Sequence, residues 1–390
     1  MRRDVSSFLI KRLDVEKASG LLGIPEYRIT GALERKTLQY VHSSRQELFR
    51  FDKPVSSAEE GTSIFVEPFD IVRGFPKIPR LLMLYPGIEY HFSSCEKIAV
   101  EEKMNGYNVR AAMIGDSLVG LTRGGFICPY TTDKINELIG REFFKDHPDL
   151  VVCGEMVGPD SPYVPKSFYD IESLGFFAFD IREKISGKPM PVIKRRELLD
   201  EYGITSVRLF GEYDVHEAHK RISGIIKELG EHTHEGVVIK DPEMILPPVK
   251  YTSSESNCAD LRFAFEFYND FGRDFFFPRV CREAFQSVEW GENEESIRKR
   301  SQRVGESILL PMINTIKKKK DGARITETVQ IRVRDLKTAK DFEEHLNLLG
   351  VDAIFEKPEQ VGNEFLIRIK KLYHSTNDKT ESILRGELWS

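Results

Sequence analysis

The sequence predicts an α+β chain rich in antiparallel sheet, and three observations carry that class. Between residues 71 and 252, short apolar runs are separated by Gly and Pro: Ile98-Ala-Val100, Leu118-Val-Gly-Leu121, Leu150-Val-Val-Cys153, Gly175 to Ile181 and Gly236-Val-Val-Ile239. Runs of this length joined by turns read as strands, and the helices that a doubly wound fold places between consecutive strands are mostly absent. From 254 to 320 the texture turns helical, with Ile297, Val304, Ile308, Met312 and Ile316 along one helix stripe. Beyond Gly322, Val329, Ile331 and Val333 alternate with Gln330, Arg332 and Arg334, the period-two pattern of a strand with one buried face.

Taken in order, residues 1–70 hold a short helical stretch, Val15 to Leu22, and close on the apolar run from Ser63 to Glu67; they read as a small accessory module. Residues 71–253 form the strand-rich domain, with an occasional helix such as Glu217 to Leu229. Residues 254–321 carry eight aromatics between Phe263 and Phe277, then an acidic patch from Glu289 to Glu295, then a basic helix. Between Ser296 and Lys320 that helix has eight Lys or Arg against one Glu, either a solvated face or a surface for phosphates. So many aromatics exceed the needs of one helix stripe and predict a subunit interface, hence a homodimer in which Phe267 and Phe271 lie one helical turn apart. Residues 322–390 read as a small α+β unit: the strand at 329–333, a helix through Phe342, Leu346 and Leu349 ending at Gly350, then strands at 351–355 and 364–369. There is no internal repeat.

Composition narrows the function classes. Fifty-seven basic and 62 acidic residues leave a net charge of −5, and 40% hydrophobic with 31% charged residues describes an ordinary globular protein with a real core. A slightly acidic total argues against non-specific coating of nucleic acid and leaves a locally basic groove open. No stretch reaches the ~20 apolar residues of a membrane span, and the amino-terminal apolar run is too short for a signal peptide, so a cytoplasmic protein is expected. Five widely spaced cysteines, an odd number without Cys-x-x-Cys, indicate neither a disulfide framework nor a zinc site.

One lysine stands apart. Lys-x-x-Gly occurs five times, at Lys17, Lys103, Lys184, Lys227 and Lys319, and only Lys103 has ordered company. Lys103-Met-Asn105-Gly106 leaves the strand Ile98 to Val100. Arg123-Gly-Gly, Gly154-Glu155, Phe179-Asp, Glu235-Gly-Val-Val-Ile-Lys240 and Val249-Lys250-Tyr follow 20, 52, 76, 132 and 147 residues downstream.

This series resembles that of the covalent nucleotidyltransferases, the superfamily of DNA ligases, RNA ligases and RNA capping enzymes. The forms Glu102-Lys-Met-Asn-Gly-Tyr-Asn-Val-Arg110, Arg73-Gly-Phe-Pro-Lys77 and Lys250-Tyr-Thr are most similar to the archaeal ATP-dependent homodimeric RNA ligases. The resemblance implies an ATP-grasp-like nucleotidyltransferase domain behind a small N-terminal module, then a helical dimerisation domain and a small C-terminal domain. It implies ATP-dependent joining of 5′-phosphate and 3′-hydroxyl RNA ends, or of single-stranded DNA ends, through lysyl-AMP and RNA-adenylate. It also implies that Glu155 binds the ribose hydroxyls, that Phe179 stacks on adenine and that Glu101 lies near the adenine amine. Arg123 and Arg110 are implied near the nucleotide or an RNA phosphate. Asn105 replaces the Asp usual in DNA ligases, and a single lysine, Lys250, occupies the closing strand. Both weaken a DNA-ligase assignment.

The residue types suit that chemistry. A lysine amine with a pKa near ~10.4 is protonated at neutral pH and must be depressed, by Lys240 and Lys250 or by a metal, before it attacks a phosphate. Glu235 is the candidate ligand for Mg²⁺ or Mn²⁺, with Lys240 and Lys250 neutralising the transferring phosphate. A straight strand puts Glu235 and Lys240 on opposite faces, so joint service needs a twist or bulge. Phe177 shares the parity of Phe179. His232 and His234 flank Glu235 without metal-ligand spacing. The rivals are a DNA ligase, a capping guanylyltransferase and an inactive RNA-end-binding protein; the first two usually follow the closing lysine strand with an OB-fold, whereas this sequence reads helical there.

Overall fold

The computed structural model describes residues 11–42, 45 and 47–389, so the amino-terminal stretch weighed as a signal peptide lies largely outside the described residues. Four sheets of four strands are built entirely from antiparallel pairs. The first packs under the helices α1 (Val15–Leu22) and α2 (Glu26–Glu34) and runs β1 (Leu38–His42), β2 (Glu47–Phe51), β3 (Ser63–Phe65) and β4 (Asp70–Val72). It extends to Val72, slightly past the change of texture at residue 70.

After α3 (Leu84–His91), two sheets form the centre of the molecule. One has the order β10 (Leu209–Asp214), β5 (Lys97–Lys103), β11 (Gly236–Lys240), β12 (Val249–Thr252). The other runs β7 (Ser117–Thr122), β6 (Tyr107–Ile114), β8 (Leu150–Val157), β9 (Gly175–Glu183). Period-two alternation gives each sheet a dry face. On β5, Ile98 and Val100 pack with Ile88 of α3 and with Ile222 and Ile226 of a helix at Ala218–Glu231, leaving Glu101 and Lys103 to the opposite face. On β6, Tyr107, Val109 and Ala111 face a core that also contains Phe143 and Phe144.

That core continues into the C-terminal unit. Val329, Ile331 and Val333, Phe342 and Leu346, and Ile367 and Ile369 belong to the same buried cluster as Tyr107, Tyr130 and Phe176. Tyr163 Oη meets His345 Nε2 at 3.0 Å and Arg332 Nε donates to Asp160 at 3.0 Å. The strand and helix read between 329 and 350 are present at Thr326–Val333 and Leu336–Leu348, and the unit they begin is fused to the central sheet.

Residues 254–320 form three helices, Ser254–Glu266, Arg273–Glu289 and Glu294–Lys320. The stripe from Ile297 to Ile316 is at most half-buried, and the long helix instead buries Arg300, Ser307, Pro311 and Thr315, with Arg300 drawn inward by Glu283 and Glu292 and Thr315 donating to the Glu266 carbonyl. One sequence expectation is corrected here. Phe267 and Phe271 do not share a helical turn, since the chain leaves the helix after Glu266. Phe267 is 1% exposed and stacks on Tyr373 at 3.8 Å, tying this segment to the C-terminal unit of its own chain. Much of the basic face is balanced internally, with Arg303 on Glu255, Lys318 on Glu266 and Lys319 on Glu381. Among the described residues no helix is long and apolar enough to cross a membrane.

Candidate active site

The polar faces of the two central sheets enclose a cavity of about 860 Å³, in the range of nucleotide-sized ligands. Lys103, the last residue of β5, lines it together with Glu101, Gly106, Asn108, Arg123, Glu155, Phe179, Lys240 and Lys250. Register explains the convergence. Across β5, β11 and β12, Lys103 pairs with Gly236, Glu101 with Val238 and Val238 with Lys250, and Ala99 pairs with Lys240, so these residues share one face. Lys240 therefore joins the site.

Glu235 reaches it by a break in the alternation. Gly236 has φ +149°, a conformation that L side chains rarely adopt, and a Cβ there would lie 2.3 Å from the Tyr251 carbonyl oxygen. The Glu235 carboxylate consequently meets Lys103 Nζ at 2.6 Å. This is the local departure that the odd spacing of Glu235 and Lys240 demands. Gly106 allows the other close approach: a Cβ would lie 2.2 Å from the Met156 carbonyl, so the turn after Lys103 sits directly on β8.

The charges are unequally settled. Burial lowers the Lys103 pKa, but the negative charges of Glu235 and Glu155 outweigh it and hold the ammonium above its ordinary value. Two carboxylates, and not the neighbouring lysines, thus dominate the charge that Lys103 feels. The depressed amines of this cavity are Lys240, lowered chiefly by burial, and Lys250, pushed down to about 8 by burial and then by the charges of Lys103, Arg80 and Arg123, against Glu235. Glu155 is pushed up to about 7 by burial, with Glu235 adding to the rise and Lys103 opposing it.

At the other end of the cavity, Glu101 is 1% exposed and bound by Arg195 and by Lys240, whose Nζ lies 2.6 Å away. Lys240 also donates to the Phe179 carbonyl at 2.6 Å. Its charge is committed to positioning Glu101 and Phe179. The Phe179 ring meets Phe75 edge-on at 5.3 Å, and both line the cavity; Phe177 packs against the same apolar cluster as Phe179 without lining the cavity.

Two expected site residues lie elsewhere. Arg110 is 1% exposed, and its guanidinium donates to the carbonyls of Arg73, Gly61 and Thr122. It shares a face of β6 with Asn108 but lies two residues further along the strand, where the carbonyls of Gly61 and Arg73 cover it, so it braces the N-terminal module against the central sheet and does not line the cavity. Asn105 is buried behind the lysine turn, its backbone N–H donating to Tyr169 Oη at 2.9 Å. His234 bonds Glu102 through Nδ1 at 2.7 Å, and among the described residues no group of three or more His, Cys, Asp or Glu is arranged to hold a metal. Sequence reasoning missed Phe75, Lys77, Tyr163, Phe275 and Arg279 as cavity residues. Phe75 and Lys77 lie in a segment it had singled out, and Phe275 in the aromatic run it had read as a subunit interface; Tyr163 and Arg279 had no local signal.

Comparison with known proteins bears on the same residues. A family model described as RNA ligase matches residues 96–252, the span holding the whole lysine series. A second, described as the C-terminal region of ligase Pab1020, matches 263–387. An uncharacterized protein of Methanocaldococcus jannaschii is 36% identical over 389 residues, covering 97% of this chain and 98% of that one. A solved structure named archaeal ATP-dependent RNA ligase, form 1, is 42% identical, with TM-score 0.90 over 97% of this chain and 100% of its own. A putative ATP-dependent DNA ligase from Aquifex aeolicus is 25% identical, with TM-score 0.87 over 94% of this chain and 100% of that one. With likeness running from end to end and the lysine series gathered in one cavity, the chain belongs to the family of archaeal ATP-dependent RNA ligases.

Proposed function

We propose that the protein joins a 5′-phosphate RNA end to a 3′-hydroxyl RNA end at the expense of ATP. The observation that carries this reading is Lys103 Nζ, held at 2.6 Å by Glu235 on the wall of a nucleotide-sized cavity. In the first step the Lys103 ammonium gives up a proton to solvent, neutral Nζ forms a bond to the α-phosphorus, the bond from that phosphorus to the β-phosphate oxygen breaks, and pyrophosphate departs with the electron pair. An oxygen of the RNA 5′-phosphate then displaces Lys103 to give RNA-adenylate. The RNA 3′-hydroxyl finally attacks that phosphate and releases AMP.

Glu155 is placed for the ribose hydroxyls, Phe179 with Phe75 for the base and Glu101 near the adenine amine. Lys250 and Arg123 face the phosphates. Glu235, paired with Lys103, is the carboxylate that would hold Mg²⁺ or Mn²⁺, ions that take one or two carboxylates and complete their shell with water and phosphate oxygen. A bound cation would offset the Glu235 charge that keeps Lys103 protonated and neutralise the departing phosphates. A DNA ligase or a capping enzyme is less favoured: Lys250 is followed at once by helix Ser254–Glu266 where those families place a barrel. Five free cysteines suit a reducing cytoplasm.

Glu235→Ala is expected to slow self-adenylylation by about an order of magnitude or more, with part of the rate restored at high Mg²⁺ or Mn²⁺ as mass action refills the weakened site. The residual activity should also extend to lower pH. Glu235 raises the Lys103 pKa, so its removal lets the amine lose its proton earlier. Rates measured across pH at two metal concentrations check both, and an unchanged rate at low metal would make Glu235 merely structural.

The homodimer belongs to the same proposal. On the helical segment Phe277, Phe285, Val288, Leu309, Leu310 and Ile313 are exposed, with Val288 at 76%, more apolar surface than a monomer ordinarily leaves in water. A two-fold pairing through this face would cover it. Light scattering should report twice the chain mass of 44.9 kDa. Leu309→Glu with Ile313→Glu, one turn apart, should give monomer. A wild-type mass equal to one chain at micromolar concentration removes the dimer.

A further inference from the structure

One end of the cavity carries positive charge for which the roles above give no full use. Lys77, Arg123, Lys250 and Arg279 line it, and Arg80 stands behind Lys250, whose backbone is pinned to the same segment by bonds to Pro79 and Leu81 at 2.9 Å. Among the described residues no carboxylate oxygen lies within 4.0 Å of Lys77, Arg80, Arg123 or Lys250. The nearest bond of Arg80 is to a neutral acceptor, Asn257 Oδ1 at 2.8 Å. Glu60, Glu102 and Glu155 also line the cavity, but none of them touches Lys77, Arg123 or Lys250, and a cluster of cations without direct carboxylate partners suits an anion of several charges.

Arg279 differs from the others in origin. It comes from helix Arg273–Glu289 of the helical segment, which closes over the cavity edge together with Phe275. The guanidinium lies 3.6 Å from the Phe275 ring centroid and donates from Nη1 to the Phe275 carbonyl at 2.8 Å, while Nε and Nη2 both donate to Asp260 Oδ2, at 2.9 and 2.7 Å. Held by Asp260 and the aromatic face, the guanidinium has lost its rotamer freedom before any ligand arrives, and the remaining N–H groups of Nη1 and Nη2 are left for a phosphate oxygen. The charges here sense one another: burial lowers the Arg80 pKa first and the charge of Arg279 lowers it further.

We propose that Arg279, backed by Arg80, holds the β- and γ-phosphates of ATP and the departing pyrophosphate, so that the helical segment supplies in cis the closing wall of the adenylylation site. The proposal rests on the ligase reading above and extends it to a residue outside the lysine series. Its chemistry is confined to the first step. The bond between the α-phosphorus and the β-phosphate oxygen breaks, the electron pair leaves on pyrophosphate, and Arg279 and Arg80 offset that charge; in sealing, no pyrophosphate is present. An RNA phosphate has the same anion chemistry, and the two sources separate by step.

The test compares full-length wild type with Arg279→Ala and Arg279→Lys in three assays: self-adenylylation against ATP concentration, removal of AMP from the adenylylated protein by added pyrophosphate, and sealing of a pre-adenylated RNA. In Arg279→Ala, kcat/KM for ATP and the pyrophosphate-driven reversal should each fall about tenfold or more, the loss of a charge-assisted bond. Sealing should fall by far less. Arg279→Lys, which keeps the charge without the fork, should recover part of both losses. Sealing also reports folding, because a collapsed variant loses all three assays together. Equal losses in all three, or first-step kinetics unchanged in Arg279→Ala, overturn the proposal. A wild type that takes no label from ATP refutes the ligase reading itself, and that failure shows before any variant is compared.

Discussion

Lys103→Ala is expected to abolish transfer of AMP to the protein and ATP-dependent sealing with it, while the variant still seals a pre-adenylated RNA to a measurable extent. The asymmetry follows from the position of the lysine. Its Nζ stands at the end of β5, aligned by the Glu235 carboxylate, and it acts as nucleophile in the first step and as leaving group in the second. Lys250 does not replace it: although its amine is pushed down to about 8 and is the more readily deprotonated, it sits on β12, one pair further along the shared face. Gel detection of labelled protein, run beside a sealing assay on pre-adenylated RNA, measures both arms. A variant that still takes label from ATP would remove Lys103 from its role.

A comparable effect is expected at a residue without a side chain. Gly236→Ala introduces a methyl group where the Tyr251 carbonyl oxygen lies 2.3 Å away and the Thr252 Cα 2.7 Å away, at a backbone φ of +149°. Neither neighbour is a flexible side-chain tip, so the strand itself must shift, at a cost of about 1–3 kcal/mol. The melting temperature should fall by several degrees. The fraction that stays folded should adenylylate far more slowly, because Glu235 loses the turn that aims it at Lys103. Melting curves with labelling rates at saturating ATP check the two effects, and full labelling with unchanged melting would show that this backbone does not set the site.

How far the site was legible follows from the distances involved. The lysine series was readable because each element offers its motif in a short stretch: a strand end, a turn, a pair of carboxylates. The antiparallel class was readable for a similar reason, since runs such as Leu150 to Cys153 and Gly236 to Ile239 are too short and too tightly punctuated for helices. Partnerships across the chain were not. Nothing near Glu101 indicates that Arg195 and Lys240 will claim its carboxylate, and nothing near Arg110 shows that three carbonyls, one from the N-terminal module, will claim its guanidinium. The charge that Lys103 feels was hidden for the same reason. Counting lysines in the sequence suggested a cationic field, whereas in space the two carboxylates dominate. On the long helix, periodicity located an apolar stripe but could not tell an intrachain core from an exposed face, and a buried arginine network took the core side instead.

The most direct measurement is incubation of the wild-type protein with α-labelled ATP, or with α-labelled GTP, in the presence of a divalent cation, followed by a denaturing gel and then by a chase with RNA carrying a 5′-phosphate and a 3′-hydroxyl. The account expects a labelled band at the chain mass of 44.9 kDa with ATP alone, loss of that label to the RNA in the chase, and joined or circular RNA as the final product. Absence of a labelled band, a band formed from GTP, or a label that RNA ends cannot discharge would contradict it.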